Sequence, residues 1–492
     1  MSTQLPALQV VLPLLAALLA ALVRHGGAAW LIALATSLAM PVIAFLMLTQ
    51  VLDAGSISYA LGGWPPPYGI EYRVDALSGF VLLLVSIAGA VMLPYARLSV
   101  AAEIAADRRA WFYAMYLLCL AGLLGIVITG DAFNAFVFLE ISSLSAYAMI
   151  AMGQDRRALL AAYQYLIMGT IGATFYVIAV GLLYSMTGTL NLVDMADRLS
   201  GVSHVRPLFA ALAFLTVGIS LKFALFPLHV WLPNAYTYAP SFATAFLAAT
   251  ATKAAVYLLL RYFYSVYGVG AVFGHQPVIE ILLTLSIAAM FIGSLVAVFQ
   301  ENIKRMLAYS SVAQIGYITL GIALANQTGL TGGIVHLFNH AMIKGALFLA
   351  VGGVVYRLGG ARIGQFAGLG RQMPLTMAAL VVAGLALIGT PGTAGFISKW
   401  YLALGALERG WWWVVALILL SSLISVLYVG RIVEAAYFRE ATEETKKARE
   451  LPLSMLIPVW VLSLATVYFG IETSLTVDVA RRAAEMLLAG IR

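Results

Sequence analysis

Residues 207–240 read PLFAALAFLTVGISLKFALFPLHVWLPNAYTYAP. The apolar run at 207–226 has the length a helix needs to cross the hydrocarbon core of a bilayer. One lysine, Lys222, sits inside that run, and Pro227 follows it by five residues. A proline removes an intrahelical hydrogen bond and frees backbone carbonyls. The span is therefore predicted to be broken there, and Pro233 and Pro240 follow in the same stretch. An interrupted apolar helix that carries a charge is tolerated only where other protein or water surrounds it.

The rest of the chain has the same character. Of its 492 residues, 63% are hydrophobic and 10% charged, against about 25% charged in an ordinary soluble protein. So few charges cannot cover a water-soluble globule of this size. Fourteen apolar runs are long enough to span a membrane, at 6–22, 28–52, 74–97, 111–129, 131–152, 158–187, 207–226, 239–264, 277–299, 303–324, 329–357, 374–407, 411–437 and 452–471. The run at 374–407 is too long for one straight helix, and the GTPG of Gly389–Gly392 interrupts it. The expected fold is an all-α integral membrane protein of about fourteen helices, with the seventh and twelfth broken. No stretch looks like an extramembrane domain, and 439–450 (REATEETKKARE) is expected to be a solvated loop.

Several function classes drop out. The single cysteine, Cys119, allows neither an intrachain disulfide nor a cysteine-rich metal site. The net charge of +7 is scattered through short loops, so it does not point to nucleic acid. No phosphate loop, dinucleotide fingerprint or cysteine cluster is present, and no cofactor is expected. The N-terminal MSTQLPALQV lacks a basic region, so no cleavable signal peptide is expected.

Basic residues set the expected orientation. The loops after the odd-numbered spans carry sixteen lysines and arginines, and the opposite face carries eight. The richer face is expected in the cytoplasm, with both termini outside. Four basic residues remain, Lys222, Lys253, Lys344 and Lys399, all inside spans. The chain has three times as many arginines as lysines, yet this set is all lysine. Arginine keeps its proton in proteins, whereas a desolvated lysine can give its proton up. The four amines therefore point to proton relay.

A faint internal repeat accompanies them. EISSLSAYAMIAM (140–152) resembles SSVAQIGYITLGI (310–322) at an offset of 170, pairing Tyr147 with Tyr317 and Glu140 with Ser310. GLLYSMTG (181–188) resembles GVVYRLGG (353–360) at an offset of 172. A five-span unit repeated after an odd number of spans must be inverted across the membrane, a common transporter plan.

Glu140 is the one carboxylate well inside a span, and Asp131 opens the same span as a capping residue. A carboxylate at the bilayer centre is costly unless paired or functional. Its natural partner is Lys222, either as a static bridge or as a proton relay. Lys253 lies among small residues that leave room for water. His336, His340 and Lys344 follow one another at i, i+4 and i+8, on one stripe of a helix and about 6 Å apart. That spacing suits a proton wire. Two histidines at i, i+4 could also hold a metal, but no carboxylate or cysteine completes a site, so no metal is expected. Lys399 follows the second break, and His229 follows the first, either as a proton entrance or as a helix-end residue.

Five stretches carry a family resemblance: FVFLEISSLSAYAMIAMG (136–153), LKFALFPLHVWLPNAYTYAPS (221–241), ENIKRMLAYSSVAQIGY (301–317), HLFNHAMIKGALFLAVGG (336–353) and GTPGTAGFISKWYL (389–402). Together, in this order, they resemble the antiporter-like subunits of the complex I superfamily. That group includes the D-subunit of Mrp-type sodium/proton antiporters, the proton-pumping subunits of NADH:quinone oxidoreductase, and their relatives in membrane-bound hydrogenases. The resemblance covers about residues 70–435. It implies two inverted five-helix repeats and broken spans 7 and 12. The family's functional glutamate matches Glu140, its lysines match Lys222, Lys253 and Lys399, and its span-11 histidine region matches His336 and His340.

Within the group the length is most similar to the Mrp D-subunit, and no long lateral helix is expected after span 14. The span-8 histidine of some complex I members is missing, and FPLHVWLPNAYTYAPS also looks like the hydrogenase relatives. The implied organisation is residues 1–110 (spans 1–3), 111–264 (first repeat), 277–437 (second repeat) and 452–492 (span 14 and a short tail). The implied function is a proton-translocating subunit of a multi-subunit sodium/proton antiporter in the cell membrane. The alternative is a non-redox, proton-pumping subunit of an NADH:quinone oxidoreductase or hydrogenase. In both, other membrane subunits are the partners, and the chain is a transporter subunit rather than an enzyme. A third possibility, a structural subunit with degenerate sites, is disfavoured by the full set of buried lysines.

Overall fold

The computed structural model describes residues 4–202, 205–274 and 277–490. It opens with α1 (Leu5–Val23) and α2 (Gly26–Ala54), a hairpin of β1 (Ile57–Ala60) and β2 (Glu71–Val74), and α3 (Ala76–Glu103). The next group is α4 (Arg109–Ile128), α5 (Ala132–Ala151), α6 (Arg156–Thr187), α7 (Leu192–Leu199), α8 (Val205–Phe223), α9 (Trp231–Tyr238) and α10 (Ser241–Leu260). A π-helical turn, Arg261–Val266, ends α10 and is followed by α11 (Val269–Phe273). Then come α12 (Val278–Val298), α13 (Ile303–Leu324), α14 (Gln327–Leu358), α15 (Leu369–Gln372), α16 (Pro374–Ile388), α17 (Ala394–Glu408) and α18 (Trp412–Phe438). The chain closes with α19 (Leu453–Ile471) and α20 (Ser474–Ala489).

Thirteen of the described helices are long and apolar enough to cross a membrane. The half-helices α16 and α17 together make a fourteenth crossing, and α8 with α9 form the broken seventh. The protein is thus a nearly all-helical, multi-pass membrane protein. The helices differ in what they face. The most apolar windows of α10 and α13 are 94% buried, while that of α18 is 33% buried. A helix that is apolar all round and half exposed is suited to lipid; α10, α13 and α14 form the interior.

The repeat is written in the caps. Asp131 and Asn302 each accept a hydrogen bond from the amide three residues on, opening α5 and α13. Asp155 and Asn326 cap α6 and α14, and Gly188 and Gly359, both left-handed, end them. Each pair is 171 residues apart. The turn after each long helix also returns to pair beside its unit's first cap. Ala132 N–H donates to Leu190 O and Leu192 N–H to Gly130 O, both at 2.8 Å. In the second unit Ile303 donates to Ala361 O and Ile363 to Glu301 O, at 2.8 and 2.9 Å. Five spans separate the two units, so these matching seams lie on opposite faces of the membrane and the repeats are inverted. The offsets of 170 and 172 read from sequence straddle this register. In the corrected register Glu140 stands opposite Ser311 in place of Ser310, and His336, His340 and Lys344 stand opposite Tyr165, Gly169 and Ala173.

Four features depart from the sequence expectation. The β1–β2 hairpin, paired from Ile57–Val74 to Ala60–Glu71, covers the α4–α5 turn. Glu71 O accepts from Gly130 N–H at 2.8 Å, and Glu71 Oε2 from Asn191 Nδ2 at 2.7 Å. We name this side the hairpin face and the other the far face. The tail after span 14 is the helix α20, which lies against α14 and α3 on the hairpin face. Its buried side is small and apolar, from Val477 to Leu487. Two basic residues expected in loops are buried. Lys304 is 5% exposed in the first turn of α13. Arg261 is 6% exposed and bonds Asp75 and Tyr257, so the interior cations are not lysine alone.

Candidate functional site

The break in span 7 is local chemistry. After Phe223 the backbone turns through Ala224 at φ 61, and Leu225 N–H reaches back to Ser220 O at 3.0 Å. The freed Leu221 carbonyl accepts from the indole of Trp231 at 3.0 Å, and that indole stacks on Tyr165 with ring centroids 3.8 Å apart. Lys222, in the last turn of α8, extends to α5. Its Nζ lies 3.3 Å from Glu140 Oε1 and 3.0 Å from Ser143 Oγ. The lysine side chain is 5% exposed and the glutamate 27%, so the acid reaches the lateral surface of the chain. A cavity of about 20 Å³ separates Lys222 from Ala251 and Ala255 on α10, room for about one water.

On the other side of α10, Lys253 donates to Ala248 O and to Thr252 Oγ1. Among the described residues no acid pairs with it, and His336, His340 and Lys344 of α14 lie near it. His336 Nδ1 is 2.7 Å from Ser398 Oγ, and Nε2 is 3.0 Å from Gln314 Oε1. The His340 ring lies nearly parallel to it, centroids 6.1 Å apart. Both nitrogens of His340 are buried without a protein partner, which is how a protein accommodates bound water. Lys344 leaves its own stripe and bonds Leu307 O, at 2.8 Å, and Ser310 Oγ on α13.

The break in span 12 holds Lys399 differently from Lys222. Its Nζ bonds the last carbonyls of α16, Ile388 O at 2.7 Å and Leu387 O at 3.4 Å, and Ser422 Oγ at 2.9 Å. The ring centroid of Tyr317 is 4.7 Å away. A helix C-terminus and an aromatic face both favour a cation. Lys399 is also within electrostatic reach of His336.

The structure thus joins Glu140 to Lys222 and gathers Lys253, His336, His340, Lys344 and Lys399 into a second group beyond α10. His229 lies outside both, stacked on Phe226 at 5.3 Å and edge-on to Tyr309 at 6.2 Å. Sequence reasoning missed the neutral members: Ser143, Gln314, Ser398, Ser422 and Tyr317. A signal existed in α13, where Ser310, Gln314 and Tyr317 share one face at i, i+4 and i+7 and meet Lys344, His336 and Lys399 in turn.

This arrangement can be set beside known proteins. Residues 129–425 match the family described as NADH:quinone oxidoreductase/Mrp antiporter, TM. The chain is 42% identical over 487 residues to the N-subunit of the NADH-quinone oxidoreductase of Desulforudis audaxviator, covering 96% of each chain. It is 30% identical over 449 residues to the D-subunit of the Na(+)/H(+) antiporter of Bacillus subtilis, covering 91% of this chain and 89% of that one. Among solved structures, a chain of the Mrp complex from Dietzia sp. DQ12-45-1b superimposes with TM-score 0.90 at 26% identity, over 99% of this chain and 97% of that one. A chain of the archaeal membrane-bound sulfane sulfur reductase, a respiratory membrane complex, gives 0.91 at 31%, over 99% and 98%. With more than half its length matched by the family and a relative 42% identical over 96% of each chain, the chain belongs to the NADH:quinone oxidoreductase/Mrp antiporter family of membrane subunits.

Proposed function

We propose that this chain translocates protons through the membrane along Glu140, Lys222, Lys253, His336, His340, Lys344 and Lys399, as one component of a larger assembly. One observation carries the reading: six amines and imidazoles, each 6% exposed or less, sit in the helical interior with Glu140 paired to one of them, where each costs free energy unless it is used. Their holders differ in a useful way. Lys222 is balanced by a carboxylate, so its charge is tied to that of Glu140. Lys399 is held by carbonyl dipoles, a hydroxyl and a ring, with no counter-charge. A proton arriving at one group changes the field at the next, because charges interact strongly in a medium of low dielectric. Residues 111–264 and 277–437 act as the two half-units of this path.

The host is a multi-subunit monovalent cation/proton antiporter, a reading supported by the likeness to the D-subunit of a sodium/proton antiporter and to the Mrp complex. Sodium crosses elsewhere in that assembly: a hard cation needs several oxygen ligands, and the buried amines here repel it. The 42% identity to the N-subunit of an NADH-quinone oxidoreductase favours a second host, a redox-driven pump whose electron transfer lies in other subunits. The chain is non-enzymatic in either. It sits in the cell membrane with the far face, richer in basic residues, in the cytoplasm and the hairpin face outside. His229 is a candidate proton entrance.

The test is purification of the native assembly through a tag on this chain, followed by reconstitution in liposomes with a pH-sensitive dye. A sodium gradient that drives proton movement supports the antiporter. Proton movement only on addition of an electron donor and acceptor supports the redox host. No proton movement under either condition overturns proton translocation.

A further inference from the structure

On the far face a cavity of about 590 Å³ opens between the end of α3, the α5–α6 turn, the end of α9 and the start of α13. Its lining carries Glu103, Asp155, Arg157, Lys304 and Arg362; Asp155 and Arg157 pair with each other, and Glu103 and Lys304 are the two that bond inward, to α10 and to the end of α9. Glu103 accepts from Ser99 Oγ at 2.8 Å and from the amide and hydroxyl of Ser241 at 2.9 and 3.0 Å, capping α10 from outside. Lys304, buried, donates to Ala239 O at 2.6 Å, at the last turn of the broken span 7. A carboxylate and an ammonium face one space at the seam between the two repeats.

The stripe of α14 that carries the histidines points at this cavity. His336, His340 and Lys344 continue at the same spacing through Phe348 and Gly352 to Tyr356, which lines the cavity. The rise from Lys344 to Tyr356 is about 18 Å. Two buried hydroxyls border this stretch and have no partner, those of Tyr95 and Tyr236. A Cβ on Gly352 would stand 2.7 Å from both Tyr95 Oη and Ser241 Cβ, so the glycine is what leaves room where these side chains converge. Tyr236 meets Phe348 edge-on at 5.8 Å, and Lys344 Nζ lies 6.0 Å from the Phe348 ring. Tyr95, Ser99 and Glu103 are themselves one i, i+4, i+8 stripe of α3. Buried hydroxyls left by protein are met by water.

We propose that this cavity is a proton vestibule, with Glu103 and Lys304 exchanging protons with the far-face solution and a hydrated seam past Tyr95, Ser241 and Tyr236 delivering them to Lys344. The path enters the middle of the row, not the Glu140 or Lys399 end. It rests on the reading of the row as a proton path.

Two measurements test it on the tagged native assembly. The first is water access. In a Cys119→Ser background, Ser99→Cys and Ser241→Cys are exposed to a small, membrane-impermeant methanethiosulfonate from the far face. Ser286→Cys is the dry control, since Ser286 is equally buried but bonds Thr319, at 2.7 Å, instead of a residue that lines the cavity. The two seam positions are expected to react about tenfold faster or more; equal rates overturn the vestibule. The second is proton flux. Glu103→Gln keeps an acceptor for Ser241 and loses the charge, and Lys304→Met keeps the stem and loses the amine. Each is expected to lower flux by about tenfold or more. Wild-type flux in both, with Lys222→Ala inactive beside them, overturns the vestibule and leaves the row standing. Wild-type flux in Lys222→Ala as well overturns the row, and the labelling rates then decide the vestibule alone.

Discussion

Lys222 Nζ lies 3.3 Å from Glu140 Oε1, bridging the broken seventh span to the fifth. Among the described residues no acid occupies the corresponding place beside Lys399, whose ammonium is held by Ile388 O, Leu387 O and Ser422 Oγ. One inverted repeat thus carries an ion pair and the other a cation held by dipoles. That asymmetry distinguishes the two halves of the row.

The ion pair is expected to be indispensable. Glu140→Ala and Lys222→Ala should each reduce proton-coupled transport by about 100-fold or more, while the assembly still forms. Size-exclusion chromatography checks assembly, and dye fluorescence in proteoliposomes checks flux. Unchanged transport in either variant removes the pair from the mechanism.

At Lys399, charge and proton exchange can be separated. Lys399→Arg retains the cation for the α16 carbonyls but does not release its proton. Turnover is expected to fall although the variant folds with an unchanged thermal midpoint. An arginine variant that transports at the wild-type rate would make Lys399 an electrostatic anchor.

Asp75 and Arg261 belong to stability instead of transport. Both are buried, and Asp75 also caps α3 by accepting from Ser78 N–H at 3.0 Å. Asp75→Ala leaves a buried guanidinium unpaired, at a cost of about 3–5 kcal/mol. The double variant Asp75→Ser with Arg261→Met restores a cap and removes the stranded charge, so it should recover much of the loss. Thermal unfolding in detergent checks both. Equal destabilisation by the single and the double variant would show that the pair is not the cause.

The isolated chain is expected to be inert as an antiporter. The row offers amines, imidazoles and one carboxylate, a poor ligand set for sodium. Reconstituted alone, it should show no sodium-driven proton movement until its partner subunits are added. Robust exchange by the single chain would reveal a cation site within these helices.

Much of this protein is determined along the chain. Apolar run length and the bilayer thickness fix the spans, because backbone groups in lipid must be bonded within their own helix. Pro227 and the GTPG at 389–392 fix the two breaks for the same reason. Lys222, Lys253, His336, His340, Lys344, Lys399 and Glu140 stand out because a charge or imidazole in an apolar run has no other place to hide. Tertiary structure decided who meets whom. The 171-residue register emerged only when Asp131 with Asn302 and Gly188 with Gly359 could be seen as matching caps, since small apolar residues align almost as well one step out. Arg261 and Lys304 looked like loop residues because burial of a cation depends on a partner distant in sequence, Asp75 in one case and Ala239 O in the other. The turn of Lys344 toward Ser310, the clasp of Lys399 by α16 and the cavity at Glu103 likewise depend on helices far apart in the chain. Hydrophobic patterning sets which residues enter the membrane; the packing of helices on one another sets which of them meet.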